Sequence, residues 1–374
     1  MGRLRAMGTA LATTVAVVAG AACVPPGTPP PSFALSVEVS ELSRPWDLAF
    51  TPDGTLLYTE RVGRIGAFVG GVKRTIAAPP DAVSLSEGGM MGLAVDPAFA
   101  ANRRIYACFL SNAVAGLDVR IVRFEVSADL SSVSERADIV TGIPVNQAGQ
   151  AGRHSGCRLR FGPDGYLWAT AGDAVTASVP QDPKSLGGKV LRVTTDGAGA
   201  PGNPGGVLRP EIYSLGHRNP QGVTFRPSDG KPYSVEHGTG CDDEVNLLVP
   251  GGNYGWDPSR PDGSYWEDAP MTSTSIAGAI SAVWSSGCPT IAPSGGAFIS
   301  GSEWGAWNGS LVMAVLKGSQ LRVLALDGGG SAVVEQWISL TDYGRLRVAV
   351  QAPDGDMLVA TDADPGFVLR LSPP

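Results

Sequence analysis

Short apolar runs alternate with tight polar turns along most of the chain. The runs TLLYTE, IYACFL, YLWATAGD, KPYSVEHG, SLVMAVL and DMLVATDA follow, in order, the turns Pro52-Asp53-Gly54, Asn102-Arg103-Arg104, Pro163-Asp164-Gly165, Ser228-Asp229-Gly230, Trp307-Asn308-Gly309 and Pro353-Asp354-Gly355. Four of these turns are preceded by a second apolar run of similar form, DLAF, LRFG, VTFR and VAVQ. Asp-Gly and Asn-Gly accept the positive φ of a two-residue connection, so each unit reads as a β-hairpin. The turns stand between 46 and 79 residues apart, room for a four-stranded blade of roughly 40 to 50 residues plus loops. The pattern predicts an all-β chain, a six-bladed β-propeller of four-stranded antiparallel blades. Residues 33–40, FALSVEVS, are expected to complete the last blade beside FVLRL at 367–371. A β-sandwich would not explain six similar turn units. The longest intervals, around 197–206 and 258–277, read as Gly/Pro-rich insertions on one face, where functional residues are expected.

Composition agrees and adds exclusions. The 374 residues include 50 Gly and 30 Pro without a collagen period, and only 17% are charged. Long amphipathic helices are nearly absent. A net charge of −7 with no Lys/Arg run argues against nucleic acid and against an anionic lipid surface as partner. Residues 1–22 carry Arg3 and Arg5 and no acid, then an apolar run at 11–18, then Ala19, Gly20, Ala21 and Ala22 before Cys23. This is the layout of a secretory signal, and the apolar run is too short to span a bilayer. Cys23 after Ala21-Ala22 resembles the bacterial lipobox, in which that cysteine is acylated; the alternative is ordinary cleavage that leaves Cys23 as an odd thiol. The expected division is a signal at 1–22, a Pro-rich tether at 23–34 and the propeller at 35–374. The protein is expected outside the cytoplasm, lipid-anchored to the cell envelope or else secreted. The remaining cysteines, Cys108, Cys157, Cys241 and Cys288, include no CxxC pair and suffice for two disulfides in an oxidising compartment.

All three histidines, His154, His217 and His237, sit in polar, Gly-rich surroundings. His154 opens the run RHSGCRLRFGPDGYLWATAGDA, and a hairpin brings its leading end back beside Asp173. A carboxylate there could fix the tautomer of a basic imidazole; equally, Asp173 could only cap a turn. His217-Arg218-Asn219 offers a guanidinium beside an amide, suited to an anionic or quinone-like oxygen, or to a structural pairing across blades. Asp242, Asp243 and Glu244 repel one another unless solvated or neutralised, and hard oxygen ligands of this kind suit Ca²⁺.

Taken in order, PWDLAFTPDG, EGGMMGLAVDPAF, HSGCRLRFGPDG, GKVLRV, PEIYSLGHRNPQG, EHGTGCDDEVNLL, NYGW, TIAPSG, LKGSQL and GRLRV resemble the soluble aldose sugar dehydrogenases dependent on pyrroloquinoline quinone (PQQ), the glucose/sorbosone dehydrogenase family. The likeness runs from about residue 44 to 371. It implies an extracytoplasmic quinoprotein that oxidises the C1 hydroxyl of aldoses with hydride transfer to PQQ, assisted by Ca²⁺. By resemblance His154 matches the general base, Asp173 its orienting carboxylate, and Arg218 and Asn219 residues that contact the quinone. Glu87, Thr290, Lys317, Arg345 and Arg347 match further cofactor-binding positions. The carbonyls of Gly238 and Thr239 match ligands of a cofactor-bound Ca²⁺, and Glu244 with the carbonyl of Tyr254 matches a second Ca²⁺ site. The implied partners are a small-molecule sugar and a separate electron acceptor, with membrane contact only through a lipid on Cys23.

Several positions depart from that pattern. Ser285 and Cys288 stand where the glucose enzymes place aromatic residues, with Trp284 a nearby candidate replacement. Thr239 replaces a frequent proline, and Cys157 and Cys241 stand where glycine is common. Four cysteines allow three connectivities; shared loops on the cofactor face suggest Cys241 to Cys288, with Cys108 to Cys157 as the second pair. Two other readings carry distinct chemistry: a Ca²⁺-dependent lactonase-like hydrolase, and a non-catalytic carbohydrate- or ligand-binding propeller that has lost PQQ.

Overall fold

The computed structural model describes residues 27–374. The expected signal at 1–22 and the expected lipid site at Cys23 lie outside the described residues. Among the described residues twenty-four strands carry the fold, accompanied by a single helical turn at Phe99–Asn102 and a 3-10 segment at Ser302–Trp307. No helix among the described residues is long and apolar enough to cross a membrane.

The all-β class holds, but the expectation of six separate four-stranded blades is corrected. Four separate four-stranded sheets form in chain order, from Pro45–Phe50 to Val72–Ala77, from Met90–Val95 to Val133–Ile143, from Gly156–Phe161 to Ile212–Leu215, and from Asn219–Phe225 to Trp284–Ser285. The remaining eight strands make one continuous sheet. Its two halves join through a parallel pairing of Gly295 with Val348. The cause is a missing side chain: a Cβ at Gly295 would stand 2.7 Å from Val348 Cγ2 and 2.6 Å from Arg158 Nη2, so only glycine lets these backbones pair. Ala34–Leu42 pairs antiparallel with Gly366–Ser372, tying the two ends of the described chain together.

The turns fall where the pattern put them. Asp53-Gly54, Asp164-Gly165, Asp229-Gly230 and Asp354-Gly355 each join the first and second strands of a hairpin. Apolar layers fill the gaps between neighbouring sheets; Leu57, Ile65, Leu93, Ile105 and Phe109 form one, and Tyr106, Ile121, Leu159, Leu167 and Leu191 another. A buried Leu or Ile there contributes about 1.5–3 kcal/mol. First strands pack against the first strands of adjacent sheets around a common axis. Glycines again permit the approach, since a Cβ at Gly92 would stand 2.1 Å from the carbonyl oxygen of Cys157.

This arrangement concentrates chemistry at one end of the axis. Glu87, His154, Arg218 and Thr290 lie at or just before the start of a first strand, while Asp173, His237, Lys317 and Asp362 lie at or just after the end of a second. Antiparallel hairpins bring these two kinds of position to the same face.

Candidate active site

His154 is buried at the start of the Gly156–Phe161 hairpin, and its Nδ1 lies 2.8 Å from Asp173 Oδ1. Gly172 makes this closeness possible: a Cβ there would sit 1.9 Å from the His154 carbonyl oxygen. Asp173 is fully buried and does more than cap a turn. Oδ1 also accepts the Val175 amide at 2.8 Å, while Oδ2 accepts Trp256 Nε1 at 2.7 Å and the Tyr265 hydroxyl at 2.8 Å. Burial opposes its charge, but the adjacent His154, the positive Arg218 and the Trp256 bond outweigh it and hold the carboxyl below its ordinary range. In the neutral ring, an ionised Asp173 fixes the proton on Nδ1 and leaves Nε2 as the acceptor.

Glu87 closes the other side. Its Oε2 accepts the backbone N–H of His154 at 3.2 Å and Nδ2 of Asn219 at 3.1 Å. Burial would raise this carboxyl, yet the nearby His154 and His237 and the two hydrogen bonds keep it lowered. Asn219 Oδ1 accepts from Gln221 Nε2 at 3.0 Å, and Gln221 Oε1 accepts from Arg347 Nη1 at 3.3 Å. Arg347 Nη2 and Arg345 Nε then share Asp362 Oδ2, at 3.1 and 3.2 Å. Glu87, His154, Asp173, Asn219, Arg345 and Arg347 therefore belong to one connected polar network. Arg218 joins it through its carbonyl, which accepts the Asp173 amide at 2.8 Å. Its guanidinium stands over Trp256, 5.5 Å from the ring centroid, and pairs with Glu267.

Two predicted residues stand apart from this network. Thr290 spends its hydroxyl on Asp243 Oδ1 at 2.7 Å, and its amide donates to the Gly240 carbonyl. Lys317 is exposed on the turn after Leu311–Val315, whose neighbouring amides bond to Ile291 and Ala292. Thr290 thus borders the 238–243 loop, and Lys317 the segment that follows Thr290.

The three consecutive acids separate by environment. Asp242 faces outward to Ser285; Asp243 is buried and its carboxylate accepts the amides of Gly238, Ile291 and Ala292 and the hydroxyls of Thr290 and Ser286. Asp243 thus holds loops together instead of offering free oxygens. Glu244 is buried on the strand Glu244–Leu247, where burial and the neighbouring Glu236 push its carboxyl up to about 8. Thr272 links it to Tyr254, donating to the Tyr254 carbonyl at 3.3 Å. Among the described residues no group of three or more His, Cys, Asp or Glu side chains is arranged to hold a metal ion.

Both suggested disulfides form, Cys108–Cys157 and Cys241–Cys288. The second ties the 238–243 loop to the segment carrying Ser285. Trp284 packs into an apolar cluster with Leu247 and Val283, so its ring is committed elsewhere than the site. His217, in the short connection before the strand Asn219–Phe225, is buried between Glu236 at 2.9 Å and Ser214 at 2.9 Å and stacks on Tyr254; its role is structural. His237 ends the strand Pro232–His237, with burial lowering its affinity for a proton.

Sequence reasoning missed Trp256, Tyr265, Glu267, Gln221 and Asp362. For two of them a signal existed: Tyr265 and Glu267 sit in the 258–277 insertion, two apart, as residues sharing one face of an extended segment do. The structure also leaves buried N–H donors without partners, at Arg61 Nε, Arg218 Nε and Arg347 Nε, and the ring nitrogen His237 Nε2 unpartnered. Unmet buried donors are costly unless something accepts from them.

Comparison with known proteins gives the chain a family. The family described as Glucose / Sorbosone dehydrogenase matches residues 42–370. The aldose sugar dehydrogenase YliI of Escherichia coli (strain K12) is 32% identical over 356 residues, covering 91% of this chain and 93% of that one. Quinoprotein glucose dehydrogenase B of Acinetobacter calcoaceticus is 32% identical over 258 residues, 60% of this chain and 52% of the relative. The PQQ-bound aldose sugar dehydrogenase of Streptomyces coelicolor superposes with a TM-score of 0.74 at 31% identity, covering 92% of this chain and 99% of its own. With a match running through nearly every strand, and a buried His–Asp pair at the shared end of the first strands, this chain belongs to the glucose/sorbosone dehydrogenase family.

Proposed function

We propose that this chain is a PQQ-dependent dehydrogenase that oxidises the C1 hydroxyl of aldose sugars outside the cytoplasm. The observation that carries the reading is the buried His154–Asp173 pair, set beside unpartnered donors on Arg218 and Arg347. PQQ is a planar tricarboxylate, and unmet buried N–H groups from two guanidiniums fit an anionic, acceptor-rich ligand. Arg218, Asn219 and Glu87 would meet the quinone end, and Arg345 and Arg347, with Lys317 and Thr290 across the opening, would meet its carboxylates. When bound, PQQ supplies a two-electron acceptor for the hydride that leaves C1.

His154 Nε2 takes the proton of the C1 hydroxyl, and Asp173 stabilises the resulting imidazolium without itself taking a proton. Glu87 fixes the His154 backbone, and Arg218 offers a positive charge where negative charge develops.

Ca²⁺ has two candidate seats. The carbonyls of Gly238 and Thr239 would offer hard oxygens beside the cofactor, where a cation acts as a Lewis acid. Glu244 and the Tyr254 carbonyl would form the other; a buried carboxyl pushed up beside Glu236 is a group that a cation would relieve. Extracytoplasmic location is supported by the two disulfides and by the signal-like residues 1–22.

The test is reconstitution. Purified apoprotein receives PQQ and Ca²⁺, and dye reduction is followed with a panel of aldoses while lactone hydrolysis is monitored in parallel. Dye reduction that requires both additions is expected. Cofactor binding without sugar oxidation would leave a binding module, lactone hydrolysis without PQQ would leave a hydrolase, and either overturns the proposal.

A further inference from the structure

The hairpin that carries His154 and Asp173 satisfies only one of the two Asp173 oxygens. Oδ2 takes both of its hydrogen bonds from elsewhere, from Trp256 at 2.7 Å and from Tyr265 at 2.8 Å. Tyr265 lies in the 258–277 insertion, and its ring centroid is 6.5 Å from that of His154. Two residues further on, Glu267 reaches the same opening and accepts from Arg153 at 3.3 Å and from Arg218. Trp266 between them is turned outward, 39% exposed. This alternation is that of an extended segment with one face on the site. The segment is anchored at both ends: Tyr265 pairs with Ser259, the Trp266 amide donates to Pro258 at 2.7 Å, and Trp256, Ala269 and Met271 form a small buried cluster with Tyr265 packed on it.

We propose that Tyr265 is a positioning residue for the catalytic base, holding Asp173 Oδ2 so that Oδ1 is aimed at His154 Nδ1, while Glu267 on the same face aims Arg218. The inference rests on the reading of His154 as proton acceptor. Tyr265 is suited to the part because burial and the adjacent Asp173 keep its phenol protonated, a permanent donor. The groups facing the pair are Glu87 at the His154 amide, Arg153 beside it in the chain, Arg218, Glu267, Tyr265 and Asp173 itself. Of these only Tyr265 can be altered by one oxygen atom without changing net charge or removing its packing. Losing that donor leaves Asp173 less neutralised, so a protonated His154 is favoured and the acid limb of the rate profile moves to higher pH.

The experiment compares Tyr265→Phe with Trp266→Ala, an outward-facing control. In apoprotein labelled with ¹⁵N-histidine, three ring systems are present, and His154→Gln assigns the one of interest. Tyr265→Phe is expected to speed exchange of the His154 Nδ1–H by about tenfold, the loss of roughly one charge-assisted hydrogen bond. In reconstituted enzyme it is expected to lower kcat about tenfold, leave KM within about twofold, and raise the acid limb by about half a pH unit. Trp266→Ala should do none of these. An unchanged Nδ1–H signal in a folded Tyr265→Phe protein overturns the proposal, as does a loss of thermal stability with no movement of the acid limb. If the wild type oxidises no sugar, the apoprotein spectra still decide the role of Tyr265, so the two readings fail separately.

Discussion

Replacing Asp47 with Asn should destabilise the fold severely. Asp47 is fully buried at the axis, and its carboxylate pairs with Arg158 Nη1 at 2.6 Å and with Arg160 at 2.9 Å, while also accepting the amide of Leu93 at 3.0 Å. Asn keeps the shape and one acceptor but removes the charge. Arg160 can turn to water, since 19% of its side chain is exposed; Arg158, 1% exposed and stacked 3.9 Å over Trp46, cannot. Burial already works against its positive charge, and Asp47 is the main group opposing that effect. Breaking one side of a buried pair costs about 3–5 kcal/mol, which for a chain of this size corresponds to roughly 4–7 °C in Tm. Thermal melts and urea unfolding at constant m-value would read it. The Asp47→Asn, Arg158→Met double variant removes the stranded charge and should recover at least about half of the loss. A single-variant loss below about 1 kcal/mol, or a double variant less stable than the single, would refute the reasoning.

Three further outcomes follow from other parts of the molecule. The Arg136 guanidinium and the Ser111 hydroxyl hold Asp81 down to about 2 against its burial; a depressed carboxyl stabilises above its unfolded pKa and loses that contribution as pH falls from about 4 through 2, so Asp81→Asn should cost about 1 kcal/mol at pH 7 after solvent screening, with most of the difference gone in melts near pH 2. Gly172→Ala drives a Cβ to 1.9 Å from the His154 carbonyl and should lower turnover about a hundredfold through misplacement of the base; wild-type kinetics in a folded variant would contradict this. The Cys241–Cys288 bridge closes a span of 47 residues, and its replacement by two serines should cost about 2–4 kcal/mol, read as a Tm that no longer responds to reductant at that site.

The hairpins were legible because Asp-Gly turns are local events, recorded in adjacent residues. The joining of two units into an eight-stranded sheet was not, since it depends on a missing Cβ at Gly295 meeting Val348 from a distant strand. His154 and Asp173 were legible for the same local reason, as the two ends of one hairpin. The second half of the Asp173 environment was not: Trp256 and Tyr265 arrive from another sheet's insertion, 83 and 92 residues away in sequence. The different surroundings of the acids at 242–244 were not legible, because the amides and hydroxyl that claim Asp243 come from residues 290–292, almost fifty positions away in sequence. Among the histidines, His217 could be recognised as structural only after Glu236 and Ser214 were seen on either side of it.

The central claim is that His154 is the proton acceptor for sugar oxidation, and one comparison tests it most directly. Wild-type protein and His154→Gln are loaded with PQQ and Ca²⁺, cofactor binding is measured by absorbance, and aldose-dependent dye reduction is followed in the same samples. The account predicts cofactor affinity within a few-fold of wild type and a fall in kcat of about 10² to 10⁴. Turnover by His154→Gln within about threefold of wild type, with cofactor bound, would contradict it.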